Sequence, residues 1–212
     1  MFNNLPPATK ALAIANVVIF LAQRLLGDAA FAPFMLWPLG DGFMPWQLLS
    51  YGFLHGGWMH LFFNMLALVM FGAPLEYTWR TRRFTFFYLA CVIGAGLCQL
   101  AVGAWMTHEG MPAYQTVGAS GGVLGLILAY GMLFPNQKLM IFPIPFFIPA
   151  RVGVFLIGAL SLVSGMTGFM PGVAHFAHLG GMLTGWLILR YWRGQPPFGR
   201  GGRKPPQLRR VM

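Results

Sequence analysis

Ser120 sits among four glycines in the stretch Gly118-Ala119-Ser120-Gly121-Gly122-Val123-Leu124-Gly125, at the head of an apolar run that continues to Phe134. A serine hydroxyl attacks an amide only with a base beside it, and histidine is the usual base. His178, in Val173-Ala174-His175-Phe176-Ala177-His178-Leu179-Gly180-Gly181, can supply that base. The small residues at Gly118 and Gly122, and at Gly121 and Gly125, leave a smooth helix face against which another backbone can pack closely. Gly180 and Gly181 offer the matching face beside His178. A second polar pair, His60 and Asn64, follows His55-Gly56-Gly57-Trp58-Met59; four residues apart, the two share one helix face.

Together these residues specify a Ser-His dyad that cuts peptide bonds. The oxyanion is held by the Ser120 backbone N–H at a helix N-terminus, with the His60 and Asn64 side chains as further donors. The carboxylates are Asp28, Asp41, Glu76 and Glu109, and none falls on the segments carrying Ser120 or His178. The dyad is therefore expected to lack an acidic third member. The competing explanation is structural: a small-residue packing motif whose serine bonds its own helix, with each histidine making an interhelical hydrogen bond. Polar groups in an apolar span are costly, and three segments that place them at one depth favour a site.

Two other chemistries are weaker. Gly118-Ala119-Ser120-Gly121-Gly122 fits the nucleophile elbow of soluble hydrolases, but no strand precedes it and no acid-then-histidine order follows. A metal centre could draw on His175 and His178 with His55, His60 or His108, yet there is no His-Glu-x-x-His motif. No metal and no cofactor is called for.

The elements that position these residues are read from composition. The chain has 212 residues, 57% hydrophobic and 8% charged, with a mean hydropathy of +0.65. Such values exclude an ordinary soluble domain and imply spanning helices of about 20 apolar residues. Six spans are expected near 9–26, 58–79, 84–106, 120–134, 151–169 and 174–192. The fold class is thus an all-α polytopic membrane protein, a six-transmembrane-helix bundle over 1–192 with a basic flexible tail over 193–212. No internal repeat stands out, which argues against a transporter built from duplicated halves. A channel would need a continuous polar path, and the inner halves of these spans carry few polar groups.

Charge gives the orientation. Of the fourteen Lys and Arg residues, only Arg24 falls on the side opposite the others, beside Asp28. Both termini are therefore expected in the cytoplasm, with Asp28, Asp41 and Glu109 on the outer side. The net charge of +10 is read as membrane orientation and attraction of the tail to anionic lipids, with no nucleic acid involved. The connection 27–57 is too apolar for water and too broken by Pro33, Pro38 and Pro45 to span, so it is expected to embed partly on the outer side. Cys91 and Cys98 lie on one helix about 10 Å apart, beyond disulfide reach. The N-terminus lacks the pattern of a cleaved secretory signal, so the first span is expected to be retained.

At these residues the sequence resembles the rhomboid family of intramembrane serine proteases. The resemblance rests on His55-Gly56-Gly57-Trp58-Met59-His60-Leu61-Phe62-Phe63-Asn64, on Gly118-Ala119-Ser120-Gly121 and on Ala177-His178-Leu179-Gly180-Gly181. Phe142-Pro143-Ile144-Pro145 ahead of Ala150-Arg151 is similar to bacterial members. The resemblance implies a six-helix core, Ser120 as nucleophile, His178 as base, and His60 and Asn64 near the oxyanion, with Gly118, Gly121 and Gly181 supporting. It implies cleavage of transmembrane protein substrates near the outer interface, with small residues favoured at the cut, in a multi-pass protein of the bacterial inner membrane. The alternative on this scaffold is a non-catalytic protein that binds or escorts transmembrane clients. Two positions depart from the family pattern. Pro45-Trp46-Gln47 stands where many members have Trp-Arg, and Leu124 where an aromatic often stacks on the histidine. Glu76 is expected to pair with Arg80, four residues on.

Overall fold

The computed structural model describes residues 4–40, 42–112, 114–140, 147–167 and 174–196. Asp41, the segment Phe142-Pro143-Ile144-Pro145 and the tail beyond residue 196 lie outside the described residues.

Helix α1 (Pro7–Leu26) begins where proline occupies the first helical position, with its φ already helical and no N–H to orphan. No side chain of its own caps it. The cap arrives from far along the chain: Glu76 accepts the Ala8 N–H (2.9 Å), the Thr9 N–H (2.7 Å) and the Thr9 hydroxyl (2.8 Å). A buried carboxylate thus meets the partial positive charge and the unpaired donors of a helix N-terminus. Its fourth bond comes from the Thr81 hydroxyl (2.8 Å). This corrects the expected Glu76–Arg80 pair. The backbone turns left-handed at Arg80 (φ 65°), where the helix breaks, and Arg80 is exposed. Gly27, at φ 84°, ends α1, and Arg24 pairs with Asp28 at 2.7 Å.

The connection to the next long helix carries α2 (Asp28–Phe31), a 3₁₀ turn (Ala32–Phe34), α3 (Gln47–Ser50) and a second 3₁₀ turn (Tyr51–Phe53). It exposes Phe34, Leu39, Met44, Trp46 and Leu49. Helix α4 (Trp58–Ala67) runs through a π turn (Leu68–Gly72) into α5 (Ala73–His108). Pro74 has no N–H to return to the preceding turn, and the ladder widens just ahead of it. At 1.5 Å per residue the 51-residue stretch Trp58–His108 would measure roughly 76 Å unbroken, and the break at Arg80 divides it. By length and composition, Pro7–Leu26 and Trp58–His108 suffice to cross a bilayer, whereas Ser120–Leu133 and Ala150–Val163 are shorter apolar helices.

The centre of the molecule is formed where α5 meets α6 (Ser120–Leu133) and α8 (His175–Trp192). Phe84, Phe87, Tyr88, Cys91, Val92, Leu126 and Leu189 are buried there. Helix α7 (Ala150–Thr167) packs on α6 and α8. Ahead of it comes a feature that the all-α expectation missed, an antiparallel hairpin of β1 (Lys138–Met140) and β2 (Phe147–Pro149), with Leu139 opposite Ile148. Cys91 and Cys98 are free thiols.

Candidate active site

Ser120 is the first residue of α6, so its N–H belongs to the turn that no intrahelical carbonyl satisfies. Gly118 delivers the chain to this helix at φ +135°, a conformation that L side chains rarely adopt. A Cβ at Gly118 would also stand 2.7 Å from the His60 ring. The Gly118 N–H donates to the Tyr51 carbonyl (2.9 Å), fastening the approach to Ser120 onto the first connection.

His178 lies one turn into α8, and its Nε2 is 2.9 Å from the Ser120 hydroxyl oxygen. The two residues are 58 positions apart in sequence. The close approach has a backbone cause. Gly181, one turn beyond His178, faces Gly121, and a Cβ on Gly181 would sit 2.0 Å from the Gly121 carbonyl oxygen. On Gly125, a Cβ would fall 2.5 Å from the Cys91 sulfur. Of the pair Gly180 and Gly181, Gly181 makes the expected contact with the α6 glycines, and Gly185 extends it, its Cβ position 3.4 Å from the Gly125 carbonyl oxygen. Gly180 turns to α5, where its Cβ would lie 2.4 Å from Cys98 Cβ.

His60 and Asn64 share one face of α4, and both line a cavity of about 760 Å³ together with Ser120 and His178. The Gly56 N–H donates to His60 Nδ1 at 3.4 Å. That bond needs Nδ1 as an acceptor, which leaves the proton on Nε2, the nitrogen 2.8 Å from the Cβ position of Gly118. Asn64 Nδ2 donates to the His60 carbonyl (2.8 Å), so one of its two hydrogens remains for the cavity. Behind His60, the His55 ring makes an edge contact at 5.1 Å between centroids. His55 is fully buried in the connection, and that burial holds its imidazole down at about 3, with His60 adding to the shift.

Each described carboxylate is engaged away from the Ser120–His178 contact: Glu76 with Thr9 and Thr81, Asp28 with Gln23 and Arg24, Glu109 with His108. Among the described residues, no three His, Cys, Asp or Glu side chains gather as a metal site requires. His175 is buried, and its ring stands perpendicular to His178 at 6.1 Å between centroids. The three-residue spacing puts both histidines on one face of the helix, which the sequence reading weighs only as a possible metal pair. Leu124 lines the cavity wall.

Comparison with known proteins points one way. Residues 42–194 match the model of the rhomboid domain. The chain is 30% identical over 150 residues to RHOMBOID-like protein 4 of Arabidopsis thaliana, covering 68% of this chain and 33% of that protein. It is 30% identical over 149 residues to the mitochondrial Rhomboid protein 1 of Saccharomyces cerevisiae, covering 67% and 41%. To the rhomboid protease GlpG of Klebsiella pneumoniae it is 24% identical over 191 residues, covering 86% and 62%. The chain therefore spans between a third and a half of the eukaryotic relatives it matches.

Proposed function

This chain belongs to the rhomboid family, and from that premise we propose that it is an intramembrane serine endopeptidase working through Ser120 and His178. The observation that carries the reading is the 2.9 Å contact between Ser120 Oγ and His178 Nε2, made across two helices inside a cavity. In the first step His178 Nε2 takes the hydroxyl proton as Oγ attacks the carbonyl carbon of the scissile peptide. The negative charge that develops on the carbonyl oxygen is met by the Ser120 N–H, by the Nε2–H of His60 and by Asn64. His178 then gives its proton to the departing amine, leaving an acyl-serine. Water, deprotonated by the same imidazole, releases the second product and restores the hydroxyl.

The layout that serves this chemistry has six crossings: α1, the two halves of the Trp58–His108 stretch divided at Arg80, α6, α7 and α8. Arg83 stacks on Trp192 at 4.3 Å and Arg193 donates to the Met132 carbonyl at 3.4 Å, so basic residues from separate elements converge at one end. That end is cytoplasmic by the positive-inside rule, with both termini there and the dyad toward the opposite face. The bacterial inner membrane is the setting, transmembrane proteins are the substrates, and the basic charge of the sequence 193–212 suits it to attract anionic lipid. A helical substrate hides its amides in internal hydrogen bonds, so cleavage needs residues such as Gly or Pro that loosen the helix near the cut.

The test is cleavage of a model transmembrane substrate in reconstituted membranes by the wild type, Ser120→Ala and His178→Ala, with fluorophosphonate labelling alongside. Wild-type cleavage and labelling at Ser120, both lost in the variants, support the proposal. A folded wild type that neither cleaves nor labels would assign the scaffold to binding or escorting transmembrane clients.

A further inference from the structure

Gln47 is buried in the first connection at 1% exposure, and its side-chain amide makes three bonds to one loop. Its Oε1 accepts the Trp37 N–H (3.1 Å), while its Nε2 donates to the carbonyls of Pro33 and Gly42 (both 3.2 Å). A loop carrying Pro33 and Pro38 cannot fasten itself by a backbone ladder, because those residues bring no N–H. One amide does so instead, joining the loop's two ends and its middle.

The fastened loop touches the approach to Ser120 at two places. Leu36, between Pro33 and Trp37, exchanges backbone bonds in both directions with Thr116 (3.0 and 2.9 Å). Tyr51, one turn beyond Gln47, accepts the Gly118 N–H at 2.9 Å. Residues 114–117 form a wall of the cavity that holds the dyad. The dyad itself is set elsewhere, by the Gly121–Gly181 contact between α6 and α8.

We propose that Gln47 is a positioning residue: by holding the first connection against residues 116–118, it sets the cavity wall along which a substrate chain must lie. The inference rests on the proteolytic reading above. It separates two readouts that a general loss of folding moves together. A small phosphonate needs only the activated Ser120 hydroxyl, whereas a transmembrane substrate needs the wall as well. In Gln47→Ala, cleavage per folded molecule is expected to fall by about ten- to a hundredfold, the effect of misplacing a substrate by a fraction of an ångström to an ångström. Labelling of Ser120 stays near the wild-type rate. Gln47→Glu keeps the acceptor for Trp37 but turns two donors into acceptors facing the Pro33 and Gly42 carbonyls, so it should follow Gln47→Ala.

The experiment measures both rates on full-length protein in reconstituted membranes, normalised to folded protein by thermal unfolding. If Gln47→Ala does not fold, Gln47→Asn replaces it, since an amide one methylene shorter cannot reach all three partners. Selective loss of cleavage supports the assignment. Unchanged cleavage, or cleavage and labelling falling in parallel, overturns it while leaving the protease reading intact. A wild type that neither cleaves nor labels overturns both.

Discussion

Gly181 on α8 and Gly121 on α6 touch backbone to backbone, so closely that a Cβ on Gly181 would lie 2.0 Å from the Gly121 carbonyl oxygen. Each glycine lies close to one of the two contacting side chains, Gly121 directly after Ser120 and Gly181 one turn beyond His178. The helix crossing and the 2.9 Å hydroxyl–imidazole contact are therefore one geometric fact.

Gly181→Ala should then separate the two helices and weaken the dyad. The expected cost is about 1–3 kcal/mol of stability, typical of overpacking a tight contact, together with loss of phosphonate labelling at Ser120. Gly103→Ala on α5 is the control, because nothing lies within 4 Å of its Cβ position; it should leave both unchanged. Thermal unfolding and labelling rates read the result, and a fully reactive Gly181→Ala would break the link.

In the proposed mechanism Ser120 and His178 serve one step, so their losses should not add. Ser120→Ala alone and Ser120→Ala with His178→Ala are expected to be equally inactive, as found where nucleophile and base serve one step. A double variant clearly slower than the single would mean that one of the two acts independently. Substrate cleavage in reconstituted membranes, followed to low residual rates, decides it.

His60 and Asn64 should differ in weight. His60 presents its Nε2–H because Gly56 occupies Nδ1, whereas Asn64 already uses one amide hydrogen on the His60 carbonyl. Removing a committed oxyanion donor costs about 10²–10³ in kcat; His60→Ala is expected in that range, and Asn64→Ala below it. Both effects should appear in kcat more than in KM, which steady-state kinetics on one substrate resolves. Equal losses, or losses confined to KM, would count against the oxyanion assignment.

Glu76 is expected to matter for stability more than for reaction. It gathers the Ala8 and Thr9 N–H groups and the hydroxyls of Thr9 and Thr81, tying the start of α1 to the break at Arg80. Glu76→Gln keeps the shape but turns one acceptor oxygen into a donor facing donors, at a cost of about 1–3 kcal/mol. The melting temperature should fall, while labelling of Ser120 at temperatures well below it stays normal. An unchanged melting temperature would show that this carboxylate does not anchor α1.

Much was legible in the sequence because the determinants are local. Apolar runs bounded by prolines and glycines mark the helices to within a few residues. A serine, two histidines and an asparagine stand out in those runs because apolar surroundings penalise polar groups. The spacing of His60 and Asn64 placed both on one face, and they line one cavity with Ser120 and His178. Tertiary packing alone decided the rest. Helical periodicity cannot say that Gly181 meets Gly121 while Gly180 meets α5, since both glycines lie on the small-residue side of α8. Glu76 bonds Thr9, 67 residues away, and Thr81 rather than Arg80 one turn on, because the backbone leaves helical geometry at Arg80. The role of Gln47 was equally hidden. An amide makes no pattern along a chain, and its three partners come together only when the loop closes around it.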